Sequence, residues 1–520
     1  MTTIVAQNEI IEESVRTRYF AKFAGGIISA AAGLGQQALL SRTLGPVVFG
    51  QMNFVFSHFE SIFSMVDMGV SAGTAARIAQ KPEKSIAARK FFLRYFFATT
   101  ICVFFYALLT KEIPALNLKI WPGIDSQLIL PGFFYAVFFA LLLRFMQFTD
   151  AMGIAKSVEK LRVTRSILTL TVLSVLFAMN FLNAINVHII IILLAISFAA
   201  VVARIFFILK HTEISSPESI HLVKVNYIEE KNYLLTYCKP LVAYSIFGAL
   251  FSAFDRWILQ YSSGSIEQSF FALALQLANI CFVFTGPFTG ILHREVAQSF
   301  ANGQIEKLRF TFLTGTRRLF TLSAIIACFM SLNAREIITL LSGDKYTNAS
   351  TTMTLMFLYP IQQMYGQISS LCLLATGQTK LYMKIGILTV FLSSIFGYFL
   401  MGKSDWILPG LNLGSSGLAI KYLGGQFLLT TLLNIAISRQ AKFSYYKFLC
   451  ADILIFVCFY SFAFGVRSIG LFAMGLTSFG LLGLAATGGI YLICSLSAIL
   501  IFAKFFCVPQ VSHIFKKRGI

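Results

Sequence analysis

Charge is what this chain has least of. Only 12% of its 520 residues are Asp, Glu, Lys or Arg, where soluble domains carry roughly 25%. A soluble fold built from these residues would expose more apolar surface than water tolerates, and disorder requires the opposite balance of low hydrophobicity and high charge. Sites for several chemistries are missing as well. The nine cysteines are scattered, mostly inside apolar stretches, at spacings that fit neither a metal site nor a disulfide framework. There is no P-loop, no His-Glu-x-x-His metal signature and no Gly-x-Ser-x-Gly elbow. ATP is therefore not the direct energy source, and no cofactor is expected.

Long apolar runs dominate what is present. The chain is 57% hydrophobic, with a mean hydropathy of +0.76. Apolar stretches fall at 21–41, 52–73, 95–111, 128–148, 166–184, 187–209, 240–260, 270–291, 317–334, 352–374, 385–401, 415–437, 449–466 and 480–503. Runs of this length satisfy their backbone in lipid only as spanning helices. The fold class is thus all-α and integral to a membrane, with about fourteen transmembrane helices. The net charge of +20 would suggest nucleic acid on a soluble protein. Here 31 of the 42 Lys and Arg residues fall in the alternate segments that include both termini, and 7 in the others. That asymmetry places both termini in the cytoplasm and makes no demand for a nucleic-acid partner. Basic loops such as Lys81-Pro82-Glu83-Lys84 and the pair Arg317-Arg318 read as inner-leaflet anchors. The polar N-terminus, with Glu9, Glu12 and Glu13, does not look like a cleaved signal peptide. Trp121, Trp257 and Trp406 all fall on the outer side, as interfacial rings would.

Four segments follow: an N-terminal lobe at 1–210 with helices one to six, a cytoplasmic linker at 211–239, a C-terminal lobe at 240–438 with helices seven to twelve, and helices thirteen and fourteen with a basic tail at 439–520. A faint internal repeat supports two halves. Leu40-Ser41-Arg42-Thr43-Leu44-Gly45 and Leu259-Gln260-Tyr261-Ser262-Ser263-Gly264 both join two apolar helices through a tight outer turn with Gly at the same offset. Membrane transporters are often built from such repeats, with the substrate between them.

The segment Leu39-Leu40-Ser41-Arg42-Thr43-Leu44-Gly45-Pro46-Val47-Val48-Phe49-Gly50 resembles the first outer turn of the polysaccharide transport family. These are the O-antigen and exopolysaccharide flippases of the superfamily that also holds multidrug exporters and the lipid II flippase. Asp67-Met68-Gly69-Val70 resembles the Asp-x-Gly that closes that family's second helix, and Asp255-Arg256 its late pair in helix seven. Ala375-Thr376-Gly377-Gln378-Thr379-Lys380 is similar to its loop after helix ten, and Gly414-Ser415-Ser416-Gly417-Leu418-Ala419 to the small-residue start of helix twelve. The resemblance implies two six-helix lobes in a V shape around a central cavity, with two added C-terminal helices. It implies a bacterial inner-membrane location and no enzymatic activity. The cargo it implies is an undecaprenyl-pyrophosphate-linked oligosaccharide, an O-antigen or exopolysaccharide repeat unit, moved by alternating access. Membrane lipids, a proton or sodium ion and a glycan polymerase or chain-length machinery are the further partners. A lipid II or multidrug exporter of the same superfamily is the near alternative, although the multidrug branch has twelve helices. A membrane glycan polymerase or ligase is less favoured, because the outer loops are short.

Cargo of that kind needs a hydrated, cationic hollow for its pyrophosphate, and charges within spans face such cavities or a partner. Arg256 is the first candidate, with Asp255 beside it; either a cavity cation or a structural ion pair would explain it. Lys421 lies one to two turns into helix twelve. Arg42 either gates the outer mouth or anchors at the interface, and Lys22 either meets the headgroup or is a plain inner anchor. Gln260 and Asn279 either bind sugar hydroxyls or bond neighbouring helices. Glu60, halfway along helix two, is the ion-coupling candidate with His58 as relay; a hydrogen bond to Gln36 or Gln37 is the structural alternative. Asp67 braces an inner helix end, and Arg144, Gln147 and Asp150 form a solvated rim. Pro287 and Pro360 interrupt helices eight and ten and are either hinges or static kinks.

Overall fold

The computed structural model describes residues 15–81, 84–179, 186–214, 227–284, 299–300, 302–474 and 480–501, with residue 296. Every regular element among them is helical. This is what lipid imposes, since a helix satisfies its own backbone. Eleven helices are long and apolar enough to cross a membrane. Two of these are double, Lys22–Asp67 and Leu241–Ala278, and Ser350–Ala375 is a further long helix of 26 residues. All fourteen apolar stretches therefore lie on helices where they are described. The side of the helix ends that bears most of the Lys and Arg is called the basic side below, and the opposite one the far side.

The chain divides into two compact units, Met1–Ser269 and Phe270–Ile520. In the first, α1 (Val15–Asp67) is two helices joined at Gly45, whose φ of 68° and ψ of 172° are open to glycine almost alone. Pro46 then opens the second segment, where a missing N–H costs nothing. The same corner recurs in α8 (Tyr227–Ala278) at Gly264, with φ 79° and ψ −174°. The internal repeat thus has a backbone counterpart. Exchange of either glycine for alanine is expected to destabilise by about 1–3 kcal/mol, measurable as a lower unfolding midpoint in detergent. An unchanged midpoint for both would contradict the assignment of strain to these corners. At the basic end α1 stops where Met68 and Gly69 both turn left-handed, with φ of 49° and 83°.

The rest of the unit is α2 (Val70–Gln80), α3 (Ser85–Glu112), α4 (Pro114–Ile120), α5 (Ile129–Ala151), α6 (Ala155–Ala178) and α7 (Val187–Ile214). Helix α1 packs on α5 and α6, and α5 on α7. Phe54, Phe59, Phe63, Phe92, Phe133 and Phe148 fill the seams. Trp121 is 1% exposed and packs among Phe54, His58 and Phe59. It is a core residue, and the interfacial role expected of it does not hold. Of the expected linker, 215–226 lies outside the described residues, whereas α8 already begins at Tyr227 rather than at 240. Glu229 and Glu230 sit in its first turn, where carboxylates favour a helix start. Leu234 and Cys238 bury its apolar stripe against α2 and α5.

The second unit holds α9 (Ile305–Leu332), α10 (Ala334–Ser342), α11 (Ser350–Ala375), α12 (Thr379–Met401), α13 (Gly414–Gln440), α14 (Tyr445–Met474) and α15 (Leu481–Ile501). Helix α11 lies against α9, α12 and α13, while α14 and α15 pack on each other and on α9. Pro360 sits within α11, which stays helical on both sides of it. Pro287, with Gly286 and Gly290, lies outside the described residues. Arg317 is not a loop cation. It is buried in α9, with its Nε 2.8 Å from Asp452 Oδ1 on α14 and its guanidinium over Phe448.

Candidate functional site

Glu60 stands midway along the second segment of α1, directly after the buried pair His58 and Phe59, with its own side chain exposed. Arg256 of α8 is within electrostatic reach of it and is only 7% exposed. Tyr135 of α5 lies within reach of both Glu60 and Arg165 of α6. The Arg165 guanidinium carbon lies over Phe198 of α7, 4.0 Å from the ring centroid. Five helices of one unit thus converge on a carboxylate, a phenol and two guanidiniums within the apolar span. An ionised group facing acyl chains costs about 2.5–3.5 kcal/mol at mid-membrane, so this wall suits water or an anion better than lipid. Asp255, 2% exposed, is the next residue on α8; adjacent helical positions face apart.

The other candidates are distributed. His58 shares a 2.9 Å hydrogen bond with the Tyr106 hydroxyl, and its ring centroid is 4.5 Å from that of Trp121. Gln36, the alternative partner of Glu60, donates instead to the Ser166 carbonyl at 2.7 Å. Lys22 pairs with Asp150 at 2.7 Å. Arg144 pairs with Asp67 at 3.6 Å, both largely shielded, so part of the supposed solvated rim is an internal brace. Arg42 is exposed at the far side. Gln260 is 3% exposed and donates to the Pro122 carbonyl at 3.0 Å and to Ser265 Oγ at 2.9 Å. Beside it, Trp257 Nε1 donates to the Lys119 carbonyl at 2.7 Å and Gln51 to the Gly123 carbonyl at 2.8 Å. A Cβ at Gly50 would run into the Ser265 carbonyl. The two glycine-cornered turns and the segment 119–123 therefore form one tight far-side seam. In the second unit, Asn279 is exposed at the start of a 3-10 turn, Asn279–Phe284, and Lys421 borders a cavity of about 150 Å³.

On the basic side Arg77 ties α2 to the head of α8. Its Nη2 lies 2.9 Å from Glu229 Oε1 and 3.0 Å from Glu230 Oε1, and its guanidinium covers Tyr233 at 4.5 Å. Lys84 also pairs with Glu229. Hydrogen bonds from Lys84 and then Arg77 hold the Glu229 carboxyl below its ordinary range. Its contribution to stability is therefore complete above the ordinary carboxylate pKa and is lost as pH falls through the lowered value. Wild type should exceed Glu229→Gln in unfolding midpoint at neutral pH, with the gap narrowing as pH falls through and below the ordinary carboxylate range. A gap that stays constant across that range would show that Glu229 does not act through its charge.

Solved structures with this fold are transporters. The lipid II flippase MurJ, in an inward closed conformation, superposes with a TM-score of 0.65 at 12% identity, covering 94% of this chain and 98% of that one. An inward-facing multidrug resistance MATE family transporter of the MOP superfamily gives 0.56 at 14% identity, over 84% of this chain and 97% of its own. A mutant of the Vibrio cholerae MATE transporter VcmN gives 0.57 at 15%, over 82% and 97%. No family model and no curated protein matches the sequence. At these identities the likeness establishes the fold: this chain has the membrane-transporter fold seen in MATE proteins and MurJ.

Proposed function

We propose that the chain is a flippase that moves a polyprenyl-pyrophosphate-linked oligosaccharide, an O-antigen or exopolysaccharide repeat unit, across the bacterial inner membrane by alternating access, with both termini cytoplasmic. The observation that carries this reading is the charged wall of Glu60, Arg256 and Arg165 inside an apolar span. A pyrophosphate needs planar donor forks at membrane depth, and guanidiniums supply them. The lipid tail stays in the bilayer while the headgroup crosses along that wall. Glu60 is the carboxylate for coupling to a proton or sodium gradient. His58, already bonded to Tyr106 and two positions away on the helix, braces the neighbouring aromatic core. The likeness to the lipid II flippase spans 94% of the chain, whereas the MATE likenesses reach 82–85%. This favours lipid-linked cargo over drugs, with lipid II itself as the second reading.

Reconstitution into liposomes that contain fluorescent lipid-linked oligosaccharide tests it. Flipping without new glycosidic bonds supports the reading. Flipping of lipid II but not of a polyprenyl-pyrophosphate glycan would favour the second reading, and glycan bond formation would replace both.

A further inference from the structure

Two connections on the far side of the second unit dispose their apolar residues in opposite ways. Between α9 and α11, residues 333–349 bury Ala334, Ile337, Ile338 and Tyr346 and expose Arg335, Asp344, Lys345 and Asn348. That is the arrangement contact with water selects. Between α12 and α13, residues 402–413 do the reverse. Ile407 is fully exposed, and Leu408 and Leu411 are each more than half exposed. We propose that this second connection is a wedge seated in the boundary between headgroups and acyl chains of the far leaflet, so that its partner is a lipid surface.

Continuity with the spanning surface identifies the occupant. Helix α12 is long and apolar enough to cross the membrane. One stripe along it, Leu388, Phe391, Leu392, Ile395 and Phe399, is exposed by 43–50%. Steps of three and four residues put these side chains on one helix face, and an apolar face of this length on a spanning helix meets lipid. The stripe runs on into the connection. The Leu411 N–H donates to the Phe399 carbonyl at 2.8 Å, which sets Leu411 beside the last residue of the stripe, with Leu408 and Ile407 beyond it.

The backbone of the connection suits a place with little water. A helix end leaves carbonyls without partners, and lipid supplies none. Here the chain folds back to supply them. Besides the bond to Phe399, the Leu413 N–H reaches the Leu400 carbonyl at 2.9 Å, Asn412 reaches Gly402 at 3.0 Å and Gly410 reaches Lys403 at 3.1 Å. The Tyr398 hydroxyl donates to the Leu408 carbonyl at 3.1 Å, and Pro409 brings no N–H to bury. The neck is closely packed, since a Cβ at Gly410 would run into the Gly402 carbonyl. The apolar tip is thus held out by its own frame. Polar groups fix how deep it sits. Ser404 and Asp405 are exposed just before the tip and stay with the headgroups, so the wedge is shallow, as amphipathic segments in an interface are. The half-exposed Trp406 ring, 5.6 Å from that of Tyr398, falls at the depth where amphipathic rings collect.

The test uses the full-length chain in a cysteine-free background, in nanodiscs with a single copy per disc. Ile407→Cys carries the environment-sensitive fluorophore NBD, and Lys345→Cys on the other connection is the water-facing control. Lipids brominated high on the acyl chain should quench the label at position 407 and spare the one at 345. Aqueous iodide should do the opposite. Iodide quenching at 407 as strong as at 345 would place the tip in water and overturn the proposal. Protection at 407 from both quenchers would mean that protein covers the tip, and would overturn it equally. If Ile407→Cys cannot be reconstituted, Leu411→Cys takes the same two quenchers with the same consequences. With the label at 411, the added pair Ile407→Asp and Leu408→Asp should abolish quenching by brominated lipid and open the label to iodide. Unchanged quenching in that variant would show that the apolar tip does not seat the connection, against the proposal. None of these signals needs transport, so the wedge and the cargo reading fail separately.

Discussion

Asp452→Ala should destabilise the protein by about 3–5 kcal/mol, because it strands a buried guanidinium without its counter-charge. The side chains of Arg317 and Asp452 are 8% and 3% exposed. Tyr365 of α11 leans on the same carboxylate, and Arg317 Nη2 also reaches the Phe448 carbonyl at 3.4 Å. At the opposite end of α14, Arg467 lies 2.5 Å from both Glu336 and Asn333. Two ion pairs about 22 Å apart, at 1.5 Å per residue, thus pin α14 to α9 and α10. The double variant Arg317→Met with Asp452→Leu should recover most of the loss, since apolar replacements of a buried pair are often neutral. Thermal unfolding in detergent reads both. An Asp452→Ala midpoint equal to wild type would show that the pair carries no stability.

Arg256→Ala should cut flipping by about 10–100-fold while the protein still folds, the loss expected for one charged hydrogen bond of 1.5–3 kcal/mol. Arg256→Lys should recover only part, because an ammonium lacks the planar fork. Glu60→Gln should leave cargo binding in place and remove the response to an imposed ion gradient. Flipping by Arg256→Ala at the wild-type rate would take the headgroup role away from this wall.

Local pattern was legible in the sequence, and long-range assembly was not. The apolar stretches are visible because lipid demands them residue by residue. The corners at Gly45 and Gly264 are visible because a tight turn needs glycine, and Gly377 with its φ of 75° closes α11 where the short loop motif places it. Hydropathy, however, marks only the part of a helix that sits in hydrocarbon. Once nucleated, a helix continues through the interface at little cost, so α9 begins at Ile305 and α6 at Ala155, well before their apolar runs at 317 and 166. Arg317 reads as a loop cation for this reason, although it lies on a helix and meets another helix. Glu60 and Arg256 were recognised as intramembrane charges. Their approach to each other and to Tyr135 depends on helix adjacency between positions 60, 135 and 256, which a single sequence does not encode in any local pattern. Trp121 was misplaced likewise: a tryptophan near a helix end serves the interface or the core according to what packs over it, here His58 and Phe59.

The account stands on the wall around Glu60 facing water rather than lipid. In a cysteine-free background reconstituted into liposomes, Glu60→Cys should react with a membrane-impermeant, charged thiol reagent. Phe391→Cys, on the exposed apolar face of α12, should stay unmodified under the same conditions. Equal protection of both positions, with Glu60→Cys open only to a hydrophobic maleimide, would place residue 60 in acyl chains and contradict the transport path.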